Sequence, residues 1–450
     1  MVLLLLAIAA PVTARPLAGR LDLSFAKRGW TEIPAGTAGE ETSVDLSPTP
    51  GGGMVVAEPY DGRIFRLRPD GSLDTRFGDR GFLSLGRSTA SEGVRGRTFG
   101  AAAIAVDGTG RVLVFGTQGF AGRSVVVGGT VSTLYATEVV VLRFTRNGSR
   151  DLGFGAGKGF IRADFGLASP YSSEIPLVGA MTGAVDSRER PLLVSGVASP
   201  KGCYSHGGPG RVPRAVVRLT SSGQPDPTFG SEGVTPIEGS ADVPELQIDS
   251  LDELAVGVGP IGGSNPDCRT GGAVYRLGRD GERLAEFGSD GVRVSRRMHL
   301  SALEPSGAVI LSHRQSHTLD LSRLSPDGTP DQSFGRGGVA KVRLPMKAGL
   351  EITSVVGDKE GRIFVAGFVA SIPARHQPGA FVVARLRADG RLDPHFGEQG
   401  WAITSFPRPL EVTSAQAKLD PQGRLVVAGT TATRKNPDGG FVVARYLTEP

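Results

Sequence analysis

One frame of residues recurs along this chain, and its period constrains the fold more than any other feature of the sequence. The string RLRPDGSLDTRFGDRGF begins at Arg66, and altered copies begin at Arg143, Arg218, Arg276, Arg323 and Arg385. A seventh copy is split. GRLDLSFAKRGW from Gly19 supplies its back, with Phe25 in the place of Phe77, Phe154, Phe229, Phe287, Phe334 and Phe396, and FVVARYLTEP from Phe441 supplies its front. The interval from Phe25 to Phe396 divides into six steps of about 62 residues, a spacing that signals a solenoid, propeller or array. Joining the two ends, less a short leader, leaves roughly 65 residues, one further period. The ring is expected to close at seven.

Between these frames lies a second recurring element, seen as AIAVDGTGRVLVFG from Ala103, GAVDSRERPLLVSG from Gly183 and AKLDPQGRLVVAG from Ala417, with looser forms from Val44, Leu246, Ser301 and Ser354. Each is an apolar run, a turn rich in Asp, Gly or Pro, and a run rich in Val, Ile and Leu, which is the pattern of a tight β-hairpin. The run ending in the repeated arginine, such as 381–386, predicts a third strand; the residues after the FGxxG step, such as 401–406, predict a fourth. No stretch past residue 15 sustains a 3.6-residue apolar period, and glycine supplies 66 of 450 residues, roughly twice the usual share of about 7%. Blades of about 60 residues cannot each bury a core, so neighbours must stack as one unit. The expected fold is all-β: a single seven-bladed β-propeller of four-stranded antiparallel blades over residues 15–450. Residues 29–34 should complete the blade begun by 411–443.

Composition adds little about partners. The 50 basic and 45 acidic residues interleave without a basic run, so nucleic acid is not implied. The start, MVLLLLAIAAPVTARP, has an apolar stretch over 2–10 and a small-x-small site at Val12-Thr13-Ala14, but no positive n-region. Residues 1–14 are expected to be a secretory leader, too short to span a membrane, and the protein to be secreted or held at the cell surface as a monomer.

Taking the strand before the aspartate turn as innermost, as in the NHL-type repeat that these lines resemble, puts the aspartate turns and the DGxxDxxFGxxG segments on one face of near-constant geometry. The other face carries loops of uneven length: 117–137, 198–214, 260–272, 314–318, 370–379 and 431–439, and the link 86–98. Variable loops on a rigid scaffold are where binding usually resides.

Residues present in every blade are needed by every blade, whereas a catalytic constellation is needed once. Asp-Gly or Asn-Gly at residues 70, 147, 280, 327 and 389, and Gly223 alone in its copy, supply the positive φ of a turn. The arginine ending strand three stands eight residues before an aspartate in five copies: Arg66 with Asp74, Arg143 with Asp151, Arg218 with Asp226, Arg323 with Asp331, and Arg385 with Asp393. Circular closure gives Arg445 Asp22. One Arg–Asp pair per blade is expected, with the phenylalanine ring beside it pinning the long loop. Arg276 departs, since Leu284 replaces its aspartate; either Glu282 or Glu286 is expected to substitute, or that loop is expected to be looser. Cys203 and Cys268 fall in equivalent loops of consecutive blades, and in an exported protein they are expected to form a disulfide.

No motif brings chemistry. DGSLD lacks the alternating ligands and terminal glutamate of a calcium loop. GFGAGKGF from Gly153 has Leu152 where a phosphate loop needs its first glycine. His313 and His317 lie on strand and loop without an HExxH glutamate, and there is no GxSxG elbow. No catalytic residue, cofactor or metal is assigned, and the reading leans away from an enzyme. The string RLxxDGxLDxxFGxxG resembles the delta-60 repeat of bacterial secreted and surface proteins, most closely in the copies at Arg66 and Arg385. That resemblance implies a propeller-like repeat and carries no substrate. The expected function is binding of a protein, glycan or cell-envelope ligand on the variable-loop face; the alternative is a propeller hydrolase or lyase with its site at the channel mouth on that face.

Overall fold

The structure is a computed structural model that describes residues 18–34, 44–58, 62–85, 98–120, 124–127, 130–133, 136–163, 177–198, 212–239, 245–258, 272–295, 298–315, 317–345, 349–370, 379–407, 410–432 and 440–449. Its elements are strands throughout, and no helix among the described residues is long and apolar enough to cross a membrane. Seven antiparallel four-stranded units follow one another around an axis. Blade one shows the plan: Asp45–Pro48, Met54–Glu58, Arg63–Leu67 and Phe82–Ser84 pair in that order. The first strands of the next five blades are Thr98–Val106, Leu177–Val185, Glu245–Ile248, His299–Leu303 and Leu350–Gly357. Blades two and three are additionally joined by a single parallel bridge between Thr137 and Leu177.

Blade seven is built from both ends of the chain. Gln416–Leu419, Leu425–Ala432 and Gly440–Tyr446 supply three strands, and Trp30–Pro34 supplies the outermost, with Trp30 opposite Ala444 and Pro34 opposite Gly440. The turn joining strands three and four is likewise reassembled from the two ends. Gly19 N–H donates to the Leu447 carbonyl and Leu447 N–H to the Arg20 carbonyl, as Gly71 and Arg68 bond Arg68 and Ser72 in blade one. Ala18 therefore follows Thr448 in space where Asp70 follows Pro69 in sequence.

The core lies between blades. Seven apolar clusters each join one blade to the next, from Val55, Phe77 and Val114 at the first seam to Phe25, Val443 and Phe65 at the last. Both faces of each sheet are thus covered, which is why strands such as Met54–Glu58 and Ala380–Leu386 are buried along their whole length. All seven repeat phenylalanines sit in these seams, at most 2% exposed. Each contributes roughly 1.5–3 kcal/mol by its burial.

The FG step also bonds across the seam. Gly78 N–H donates to the Asn147 carbonyl of the next blade, and Gly155, Gly230, Gly288 and Gly335 donate to Ser222, Asp280, Asp327 and Asp389. Gly397 meets Ala18, and Ala26 meets Asp70, completing the circle. This explains the turn glycine beyond its φ of +86° at Gly148. A Cβ there would stand 2.5 Å from the Gly78 nitrogen. At Gly19 the same atom would lie 2.4 Å from the Gly397 nitrogen. Only glycine lets two blades approach this closely.

Candidate functional site

The aspartate turns and the DG loops share one rim, and its repeated charges are engaged with one another. Arg66 Nε donates to Asp74 Oδ2 at 3.0 Å, Arg143 to Asp151 at 2.7 Å, Arg218 to Asp226 at 2.8 Å, Arg323 to Asp331 at 2.7 Å, Arg385 to Asp393 at 2.9 Å and Arg445 to Asp22 at 2.8 Å. Each of these guanidinium groups stacks on its own repeat phenylalanine, 4.6–5.1 Å from the ring centre. A third contact was not legible in the sequence. Arg66, Arg143, Arg218, Arg385 and Arg445 each turn Nη1 to a backbone carbonyl in the following blade, at Arg146, Ser221, Arg279, Thr448 and Pro69. The fork therefore ties strand, loop and neighbouring blade together.

A second arginine reinforces the aspartate turn in four blades, through Asp107–Arg111, Asp186–Arg190, Asp358–Arg362 and Asp420–Arg424 at 2.6–2.8 Å. Burial works against the Asp226 carboxylate, but the Thr228 hydroxyl and amide and the charges of Arg218 and Arg190 outweigh it and hold its pKa below the ordinary value. Blade four uses a different solution. Glu253 stands where those four turns have arginine, and its carboxylate, with that of Asp249, meets Arg276 Nη2 at 2.8 and 3.3 Å. The expected substitutes Glu282 and Glu286 are not its partners; the carboxylate comes from the aspartate turn, because Leu284 leaves no carboxylate at the position that other blades fill with aspartate. Arg276 Nε and Nη1 have no hydrogen-bond partner among the described residues.

The first strands enclose a channel of about 850 Å³. An innermost strand has an unpaired edge, so its amides need partners. Polar side chains of the preceding blade supply some: Ile104 N–H donates to Asp45 Oδ2 at 2.8 Å, Val106 N–H to Ser47 Oγ at 2.9 Å and Ala417 N–H to Ser354 Oγ at 3.0 Å. The Ser354 hydroxyl donates in turn to Gln416 Oε1 at 2.8 Å.

Four ionisable side chains line this lumen: Asp45, Glu245, His299 and Lys418. Asp45, Glu245 and His299 are the first residues of their strands, at the variable-loop end. Burial pushes the Asp45 carboxyl above its ordinary pKa, opposed by the Ile104 amide, Lys418 and the Leu46 amide. Burial likewise pushes Glu245 up to about 7, and the Lys418 charge opposes it. Glu245 is open to the lumen yet walled in by protein, so it is poorly solvated without being sealed. None of the four was singled out in the sequence. The available signal was an acid, four residues before the turn, in a position where other blades place Ala103, Thr182, Leu300, Ser354 or Gln416.

Glu245 sets a pH dependence. Its folded pKa lies above its unfolded one, so the cost of ionising it is absent below the ordinary value of 4.5 and grows as pH rises toward about 7. E245Q is expected to be more stable than the parent at pH 8 by about 1 kcal/mol, discounted because the lumen screens the group, with the difference vanishing toward pH 4. Paired urea titrations at the two pH values check this.

Of the sequence's other candidates, His313 faces Asp320 across two strands of blade five, and His317 precedes the second of them. Cys203, Cys268, residues 1–14 and most of the longer variable loops lie outside the described residues. Blade two carries part of its second-to-third-strand loop as a separate hairpin, Ser124–Val127 paired with Thr130–Thr133.

A family model described as "Domain of unknown function (DUF5122) beta-propeller" matches residues 51–77 and 361–396. Both segments run from an aspartate-type turn to the repeat phenylalanine. No curated protein matches the sequence. Among solved structures, a streptogramin B lyase is 10% identical, over 92% of this chain and 97% of that one, with a TM-score of 0.43. The virginiamycin B lyase from Staphylococcus aureus is 9% identical, over 90% and 100%, with a TM-score of 0.38. The PQQ-bound aldose sugar dehydrogenase from Streptomyces coelicolor is 14% identical, over 75% and 91%, with a TM-score of 0.37. Likeness at this level says nothing about activity.

Proposed function

We propose that this chain is an exported binding propeller of the delta-60 kind that holds a protein, glycan or cell-envelope ligand at its variable-loop face. The observation that carries the reading is the contrast between the two rims. On the constant rim the repeated charged groups bond to each other and to the neighbouring blade, leaving the motif committed to architecture. On the opposite rim the connection between strands two and three ranges from the short step between Arg314 and Thr318 to the span between Phe120 and Ala136, which holds its own hairpin. Export also places Cys203 and Cys268 where a disulfide persists.

The test is a loop exchange. Replacing residues 121–135 by a short turn is expected to lower capture on arrays of glycans and cell-wall fragments by tenfold or more while leaving the thermal midpoint within a few degrees. Capture that survives this exchange, and equivalent exchanges in blades three and four, would sink the proposal. A hydrolase or lyase is the second reading, favoured by Asp45, Glu245 and His299 opening three inner strands at that same end. A stoichiometric, tightly held metal in purified protein would move the assignment to it.

A further inference from the structure

We propose that the channel mouth beside Glu245 binds a small, non-aromatic organic ammonium that also carries hydroxyl or amide groups. This rests on the binding reading and names a ligand class for the channel rather than for the loops. A lumen of about 850 Å³ lies within the 300–1,000 Å³ typical of small-molecule sites, so its occupant is a small molecule.

Charge selects the kind of molecule. Two carboxylates face one amine in the lumen, and they are not equivalent. Asp45 already accepts the Ile104 and Leu46 amides, each at 2.8 Å, and lies in the blade next to Lys418. Glu245 lies three blades from Lys418 around the ring, and among the described residues no group donates a hydrogen bond to it. It is the unmatched charge. An ammonium group offers three donors, one for this carboxylate and others for neighbouring oxygens. Gln247, Thr182, Ser301 and Ser312 line the same lumen and suit hydroxyl or amide substituents. No phenylalanine, tyrosine or tryptophan ring lines it among the described residues, which disfavours flat ligands and cage-bound quaternary amines.

Because burial holds Glu245 near half-ionised at neutral pH, a cation that needs its charged form must displace a proton. The ionisable groups facing it are Lys418, Asp45 and His299. His299 faces the same lumen, so its contribution must be separated.

The experiment uses the full chain and 3-amino-1,2-propanediol, whose amine stays charged across the range tested, with glycerol as its uncharged counterpart. Saturable binding of the amine is expected by calorimetry or NMR titration, with affinity rising about tenfold from pH 6 to pH 8 and then levelling, and with glycerol at least tenfold weaker. E245Q should weaken amine binding about tenfold or more and flatten its pH profile, whereas H299Q should keep the profile. K418Q should tighten binding several-fold, a gain that misfolding cannot produce. Equal affinity for amine and glycerol, no saturable binding, an unaltered E245Q, or weaker binding in K418Q would each overturn the site. If the amine fails to bind while loop exchange still abolishes capture on the arrays, the channel site falls and the binding reading stands.

Discussion

Deleting residues 18–34 is expected to abolish cooperative folding of the ring, and joining Thr448 directly to Ala18 in a circular permutant is expected to restore it. The segment brings Ala18, Phe25, Trp30 and Ile33 into two seams, all at most 8% exposed, and Trp30 packs edge-on against Phe406 of blade six at 5.1 Å. Burial of the three large side chains alone contributes roughly 1.5–3 kcal/mol each. Its strand pairs with Gly440–Tyr446, which would otherwise present a bare edge. Asp22 balances the buried Arg445 and also meets Arg424 at 3.3 Å, and leaving such a charge unpaired costs about 3–5 kcal/mol. Together these reach the whole stability of an ordinary domain, about 5–15 kcal/mol. The permutant places no new bond across a gap, because Leu447, Thr448, Ala18 and Gly19 already trace one turn. With new ends opened in the variable link 86–97, it should show the parent's denaturant slope and a similar midpoint. A permutant as unfolded as the truncated chain would refute the split-blade account.

Arg218→Ala is expected to destabilise by about 3 kcal/mol, far beyond what a surface ion pair contributes. The side chain is 1% exposed and serves four partners at once. Its Nε donates to Asp226 and its Nη2 to Thr228 Oγ1 at 3.0 Å; Nη1 holds the Arg279 carbonyl of the next blade, and the plane covers Phe229 at 4.6 Å. Removing it leaves Asp226 with the Thr228 hydroxyl and amide and with Arg190, at 3.1 Å, as its one remaining counter-charge, so the loss falls toward the low end of the range for a broken buried pair. Lysine should recover less than half, because a point charge cannot bridge a carboxylate, a hydroxyl and a carbonyl from one planar group. Urea midpoints at constant slope measure this. A change below 1 kcal/mol would mean that the repeat arginine is an exposed pair and not a seam lock.

Blade four shows how far sequence could be read and where it stopped. Leu284 marks the departure from the repeat, and the missing aspartate follows from its position. That Glu253 answers Arg276 does not follow, since the residue belongs to a different hairpin and is brought near only by the register of Leu254–Val258 against Gly272–Leu277. The turn glycines divide in the same way. Their positive φ is a local requirement that Asp-Gly announces, whereas the 2.5 Å approach of a Gly148 Cβ to Gly78 depends on how one blade leans on the next.

The period, the number of blades, the strand order within each blade and the closure that joins the two ends of the chain are all legible in the amino-acid order. These depend on alternation, turn chemistry and repeat spacing, all local or additive along the chain. Which groups face each other across the seams and across the lumen depends on the packing of the blades. Such contacts join residues a full repeat or more apart, through blade angles that no single repeat encodes. Thus Arg218 reaches the Arg279 carbonyl in the next blade, and Lys418 faces Glu245 across the ring. The charges of the proposed channel site are set by that second kind of contact.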